Sequence, residues 1–76
     1  MKMENTTFNI RAYGRTELGQ MYSPDVAAET AWRRLRQWIA RYPGLTERLK
    51  ETGYSARQRM FTPAQTMLIV EALGEP

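Results

Sequence analysis

Between Thr30 and Pro43 the chain reads "TAWRRLRQWIARYP", with apolar and cationic residues recurring at intervals of three and four rather than two. At ~100 degrees per residue, Ala28, Ala31, Trp32, Leu35, Trp38, Ile39 and Tyr42 fall within one arc of about 120 degrees. Thr30, Arg33, Arg34, Gln37 and Arg41 fall on the opposite side, with Glu29, Arg36 and Ala40 along the border. The pattern predicts an amphipathic helix that buries its aromatic face and exposes a cationic one. Trp32 and Leu35 are assigned to core packing, and Trp38, at the edge of the arc, to a partly exposed position.

The flanking segments carry different periods and clear punctuation. "FNIRAY" alternates Phe8, Ile10 and Ala12 with Asn9, Arg11 and Tyr13, which predicts a short half-buried strand, and Gly14 follows as a turn. In "TELGQMY", Thr16 as N-cap and Glu17 in the first turn predict a short helix ending at Tyr22. "SPDV" breaks it, because Pro24 can open a helix but not continue one. After the arginine-rich segment, Pro43 fits the first position of a third helix whose Leu45 and Leu49 share a face. Gly53 ends that helix in the left-handed conformation, with Thr52 as C-cap and Tyr54 returning against Leu49. "SARQRM" is a basic connector able to form a short strand beside "FNIRAY". In "FTPAQ", Thr62, Pro63 and Gln65 form the signature of a capping box, opening a last helix that runs to Leu73 and stops at Gly74.

The predicted fold is mostly α: a compact four-helix domain with a helix-turn-helix-like core and a short N-terminal strand. Pairing of that strand with the basic connector would make it winged-helix-like. Residues 1–7 are expected to be disordered and residues 8–76 to form the single domain. A short helix followed by a longer one with an Arg/Gln outer face resembles a helix-turn-helix, in which the second helix enters the major groove. Leu18 and Gly19 belong to the first helix, and Gly19 is small enough for the second to cross closely. Trp32 and Leu35 are the inward positions of the second. "SPDVAA" is about three residues longer than the tight turn of that motif.

Composition narrows the chemistry. With no Cys, disulfides and thiolate chemistry are excluded, and with no His a zinc site would rest on carboxylates alone, so neither metal nor cofactor is expected. No apolar run reaches the roughly 18 residues of a membrane span, and "MKMENTTF" lacks the apolar region of a secretory signal, so a cytoplasmic location is expected. The acidic residues are scattered over caps and solvated faces, and there is no G-x-S-x-G elbow or phosphate-cradling glycine loop. A binding module is expected rather than an enzyme.

The net charge of +3 is unevenly spread. Between Arg33 and Arg59 the basic residues Arg33, Arg34, Arg36, Arg41, Arg48, Lys50, Arg57 and Arg59 face only Glu47 and Glu51. That segment points to a polyanion, duplex DNA foremost, and to a small regulatory or accessory protein. Arg33, Arg34, Gln37 and Arg41 are the groove-facing candidates, Arg11, Arg15, Arg36, Arg57 and Arg59 the backbone-contact candidates, and Thr30 suits either role. The alternative is a protein-interaction module. If Leu68, Ile69, Ala72 and Leu73 of the last helix face inward, Met67 and Val70 point toward a protein partner or a second copy. The two readings are compatible, since dimeric readers of palindromic sites need both surfaces.

Three stretches, "IRAYGRTELGQMYSPD", "AWRRLRQWI" and "GYSARQRMFTPAQTMLIVEALGEP", resemble in order and spacing a family of small gut-bacterial proteins known as a domain of unknown function, DUF4248. The resemblance runs from Phe8 to Pro76. The chain departs from the family at Ala27-Ala28, where members often carry Thr-Pro. The resemblance supports the element boundaries and implies no activity, ligand or site residue.

Overall fold

The computed structural model describes residues 8–76, so the disorder expected for residues 1–7 lies outside the described residues. The elements are β1 (Tyr13–Gly14), α1 (Arg15–Tyr22), α2 (Ala28–Arg41), α3 (Leu45–Glu51), β2 (Met60–Phe61) and α4 (Pro63–Leu73).

Helix α2 follows the predicted phase. Ala31 and Leu35 are fully buried, Trp32 and Ile39 nearly so, while Trp38 is 38% exposed. Tyr42, which the helical period puts in the core arc, is instead 43% exposed. It is the C-cap of α2, with φ −75° and ψ 122°, so the backbone has left the helix and the helical phase no longer governs where its ring points. Against α2 packs α1, with no room to spare: a Cβ on Gly19 would lie 3.0 Å from the backbone of Ala31 and Trp32. The connection between the two helices is Ser23 to Ala27, because Ala28 already belongs to α2.

The N-terminal strand is shorter and later than its alternation predicts. It pairs antiparallel with β2 through Tyr13 opposite Phe61 and Gly14 opposite Met60. Tyr13 is buried and Ile10 is 40% exposed, the reverse of the expected facing. The basic connector contributes only its last residue, Met60, to a partner strand, so residues before Tyr13 have no ladder to impose the period of two. Tyr13 can bury its ring because its hydroxyl donates to the Asn9 carbonyl at 2.8 Å. The predicted N-cap Thr16 lies inside α1, and the cap is Gly14. There the ladder ends in extended backbone, the Gly14 N–H donates to the Glu17 carboxylate at 3.1 Å, and the Arg15 N–H donates to the Arg59 carbonyl at 2.9 Å.

At α3 the predicted first residue, Pro43, stays outside the helix. Gly44 has φ 81° and ψ −10°, and Leu45 N–H donates to the Tyr42 carbonyl at 3.2 Å. Pro followed by a left-handed Gly is the sequence of a type II turn, which reverses the chain before α3 begins. The other end matches expectation. Gly53 has φ 91°, its N–H donates to the Lys50 carbonyl, and the Tyr54 N–H donates to that of Leu49, the paired bonds of a Schellman motif.

The capping box of α4 is present: Thr62 Oγ1 accepts from the Gln65 N–H at 3.2 Å, and Gln65 Oε1 accepts from the Thr62 N–H at 3.0 Å. The Gln65 side chain, fully buried, does more than cap. Its Nε2 donates to Thr52 Oγ1 at 3.0 Å and its Oε1 accepts from Gln58 Nε2 at 2.6 Å. One amide therefore ties the end of α3, the connector and the start of α4, and no polar atom of its own is left unpaired in the interior. Around it the core gathers Tyr13, Leu18, Trp32, Leu35, Ile39, Leu45, Leu49, Phe61 and Ile69. Phe61 is its aromatic centre, 6.0 Å from the Trp32 ring and stacked on Tyr54 at 5.6 Å. The end of α1 is fastened to the end of α4, where the Tyr22 hydroxyl donates to the Gly74 carbonyl.

Two outcomes test these contacts. Gly19→Ala gains about 1 kcal/mol of helix propensity, but overpacking costs about 1 to 3 kcal/mol, here toward the upper end because the obstructing atoms are backbone. A net loss of about 2 kcal/mol, or roughly 10 °C in melting temperature for a domain of this size, is expected. A raised melting point would show that the helices are not in contact there. The second concerns pH. Burial first, and the Glu75 carboxylate second, push the Tyr22 phenol from 10.0 up to about 12. The folded state thus favours the neutral phenol: its contribution is complete below pH 10 and disappears as pH rises toward about 12. Stability measured across that window should fall less steeply in Tyr22→Phe, and an unchanged slope would assign the alkaline loss to other groups.

Candidate nucleic-acid interface

The predicted groove-facing residues stand together on α2. Arg33, Arg34, Gln37 and Arg41 are exposed and Thr30 is half-buried. Among the described residues, none of the five makes a side-chain hydrogen bond or ion pair. Their orientation follows from the opposite face, where Ala31, Trp32, Leu35 and Ile39 are locked into the core.

A second group of cations collects on the Trp32 flank of α2. The Arg15 guanidinium lies 5.2 Å from the centre of the Trp32 ring, and its backbone N–H is bound to Arg59. Arg15 and Arg36 both bear on Tyr54: burial raises its phenol pKa, and the two positive charges partly oppose that rise. Arg15, Thr16, Glu29 and Arg59 line a recess of about 350 Å³ between α1, α2 and the connector. Arg57 is exposed, in a turn closed by the Gln58 N–H donating to the Ser55 carbonyl at 2.9 Å.

Arg11 differs from the other backbone-contact candidates because the fold already occupies it. Its guanidinium lies 3.8 Å from the centre of the Tyr13 ring, donates to the Ala12 carbonyl at 2.6 Å and pairs with Glu17 at 3.1 Å. The Gly14 N–H, and then Arg11, hold the Glu17 carboxyl below its usual value. On α4, Met67 is 46% exposed and Val70 half-buried, the orientation that the helical phase predicts.

Sequence reasoning missed the recess. The helical period puts Glu29 only at the border of the α2 face and the local pattern makes Thr16 a cap, and neither residue carries a local mark of the other. They meet because β1 pairs with β2 and thereby delivers Arg59 to the start of α1.

The sequence pattern of the family described as Domain of unknown function (DUF4248) matches residues 9–76, nearly the whole chain. The chain belongs to DUF4248. No curated protein and no solved structure matches it. Among the described residues of this DUF4248 protein, no helix is long and apolar enough to cross a membrane, and no cluster of His, Cys, Asp or Glu is arranged to hold a metal ion.

The α2 face of this DUF4248 chain begins at a weak cap. Ala27 occupies the N-cap with φ −65° and ψ 157°, and has no side-chain oxygen for the first amides. Because that backbone is already the one a capping residue adopts, Ala27→Ser should stabilise the protein by about 1 kcal/mol. Thermal melts would register this as an increase of several degrees, and a decrease would mean that α2 starts elsewhere.

Proposed function

We propose that this DUF4248 protein binds duplex DNA through α2, as a small regulatory or accessory protein of the cytoplasm with no catalytic step of its own. The observation that carries the reading is the exposed row Arg33, Arg34, Gln37 and Arg41, which has no internal partner while Ala31, Trp32, Leu35 and Ile39 of the same helix are buried in the core. A rigid helix with a cationic, amide-bearing outer face suits insertion into the major groove, where Arg reads guanine and Gln reads adenine. Thr30 stands beside these residues on the first turn. Arg57 and Arg59, on a connector pinned by Gln58 and Gln65, and Arg15 and Arg36, beside Trp32, are the backbone contacts in this reading. Arg11 contributes less, because Glu17 and Tyr13 already hold it.

A second reading, self-association or protein binding through α4, is favoured by the exposure of Met67 beside Val70. It adds to the first, since a two-fold dimer would present two copies of α2 to adjacent half-sites.

Fluorescence anisotropy with mixed-sequence duplex DNA at several salt concentrations tests the proposal. Replacing Arg33, Arg34 and Arg41 together with Gln should keep the fold, since these positions lie opposite the core. It should also flatten the dependence of log affinity on log salt by about 2.7 if all three contact phosphates. Replacing Arg48 and Lys50 of α3 should have a much smaller effect per charge removed. Equal effects per charge would reduce the interaction to total charge, and a wild-type protein that binds no duplex at low salt would overturn the proposal.

A further inference from the structure

The recess between α1, α2 and the connector is lined by two arginines and a carboxylate that form no close ion pair with one another. Arg15, Arg59 and Glu29 line the same space of about 350 Å³, yet among the described residues no ion pair within 4.0 Å joins Glu29 to either arginine. Arg15 is held at the Trp32 ring and through its backbone, and the Arg59 carbonyl is the acceptor of that backbone bond, so the two guanidinium groups are rooted at adjacent points. Glu29 lines the same recess from the first turn of α2.

We propose that this recess is a mixed subsite for duplex DNA, in which Arg15 and Arg59 hold one backbone phosphate and Glu29 accepts a hydrogen bond from the amino group of a neighbouring cytosine. The inference rests on the α2 reading above and adds a specificity residue to it. A phosphate alone is a poor occupant, because Glu29 repels it. A base edge alone leaves two guanidinium charges without an anion. A duplex strand offers both groups side by side, with phosphate outside and base edge within the groove. Helix-turn-helix proteins direct the N-terminal residues of the second helix at base edges, and Glu29 is such a residue. In the major groove an acidic side chain pairs with the amino group of cytosine, whereas guanine presents only acceptors to it and thymine an acceptor and a methyl group. Adenine is less suitable, because its N7 acceptor lies beside its amino group.

The test is selection from a randomised duplex DNA pool by the wild-type chain and by Glu29→Gln, followed by titration of the selected duplexes. Wild type should select cytosine at one position, and Glu29→Gln should lose that preference, a loss of about 5- to 150-fold in discrimination at that position. Arg15→Gln and Arg59→Gln together should weaken all sequences alike and lower the salt slope by about 0.9, because the pair holds one phosphate. Arg59→Gln alone, which removes an exposed side chain with no internal partner, should weaken binding without altering the cytosine preference, and Arg48→Gln should leave the selected motif unchanged. If Glu29→Gln tightens binding to every sequence by one common factor, Glu29 is merely a repulsive charge, and the subsite is overturned while the α2 reading survives. If the double replacement of Arg15 and Arg59 leaves the salt slope intact, no phosphate lies in the recess. Failure of the wild-type chain to retain any duplex at low salt overturns both readings together.

Discussion

The direct approach of α1 to the backbone of α2 is the constraint on which the other features depend. With a hydrogen in place of a side chain at Gly19, the helices meet at Ala31 and Trp32 with backbone against backbone. That contact fixes how far Leu18 enters the core, and it places Arg15, one turn earlier on α1, against the Trp32 ring. The cationic outer face of α2 is a consequence, since a helix pinned on one side has no freedom to rotate its arginines inward. A larger residue at position 19 would separate the helices and open the Trp32 side of the core.

The two-residue ladder is too short to stand alone, and the residues around it show what holds it. An isolated two-stranded ribbon is marginal in water. Here Tyr13 and Phe61, the opposed pair, are both buried, Phe8 stacks on Tyr13 at 5.3 Å, and Phe61 is flanked by Trp32 and Tyr54. The Glu17 carboxylate then joins the ladder to α1 by accepting from Gly14 and Arg11 together. Packing thus does for the sheet what its few backbone bonds cannot, and the connector is returned to α1 at a defined place.

Most of the helical architecture was legible because it is written in local chemistry. The phase of α2, the capping box at Thr62, the Schellman end at Gly53 and the stop at Gly74 each depend on residues within one or two turns of one another. Most differences from the local pattern lie where a distant partner decides. Alternation in "FNIRAY" suggested a six-residue strand, but strand length is set by what pairs with it, and only Met60 and Phe61 do. At positions 43–44 two local signals compete, since Pro43 suits the first residue of a helix and "PG" suits a turn, and the turn prevails. The recess was illegible because its four residues come from three segments joined only by tertiary contact. The second role of Gln65 was hidden for the same reason, since Thr52 and Gln58 reach it only after α3, the connector and α4 have docked.

The charges on this surface differ in kind, and the difference bears on function more than the total of +3 does. In α3, Arg48 and Lys50 alternate with Glu47 and Glu51, the mixture expected of a face designed only for water. Arg11 beside Glu17 is a cation that the fold has already used. In α2, by contrast, Arg33, Arg34, Arg36 and Arg41 are set against Glu29 alone, although acidic residues three or four positions away would stabilise the helix by about 0.2 to 0.5 kcal/mol per pair. Solubility does not require a surplus of one sign concentrated on one helix, and self-repulsion opposes it. In the proposed reading an external polyanion supplies the missing counter-charge, and Glu29, the single carboxylate at the start of α2, makes an attractive surface a selective one.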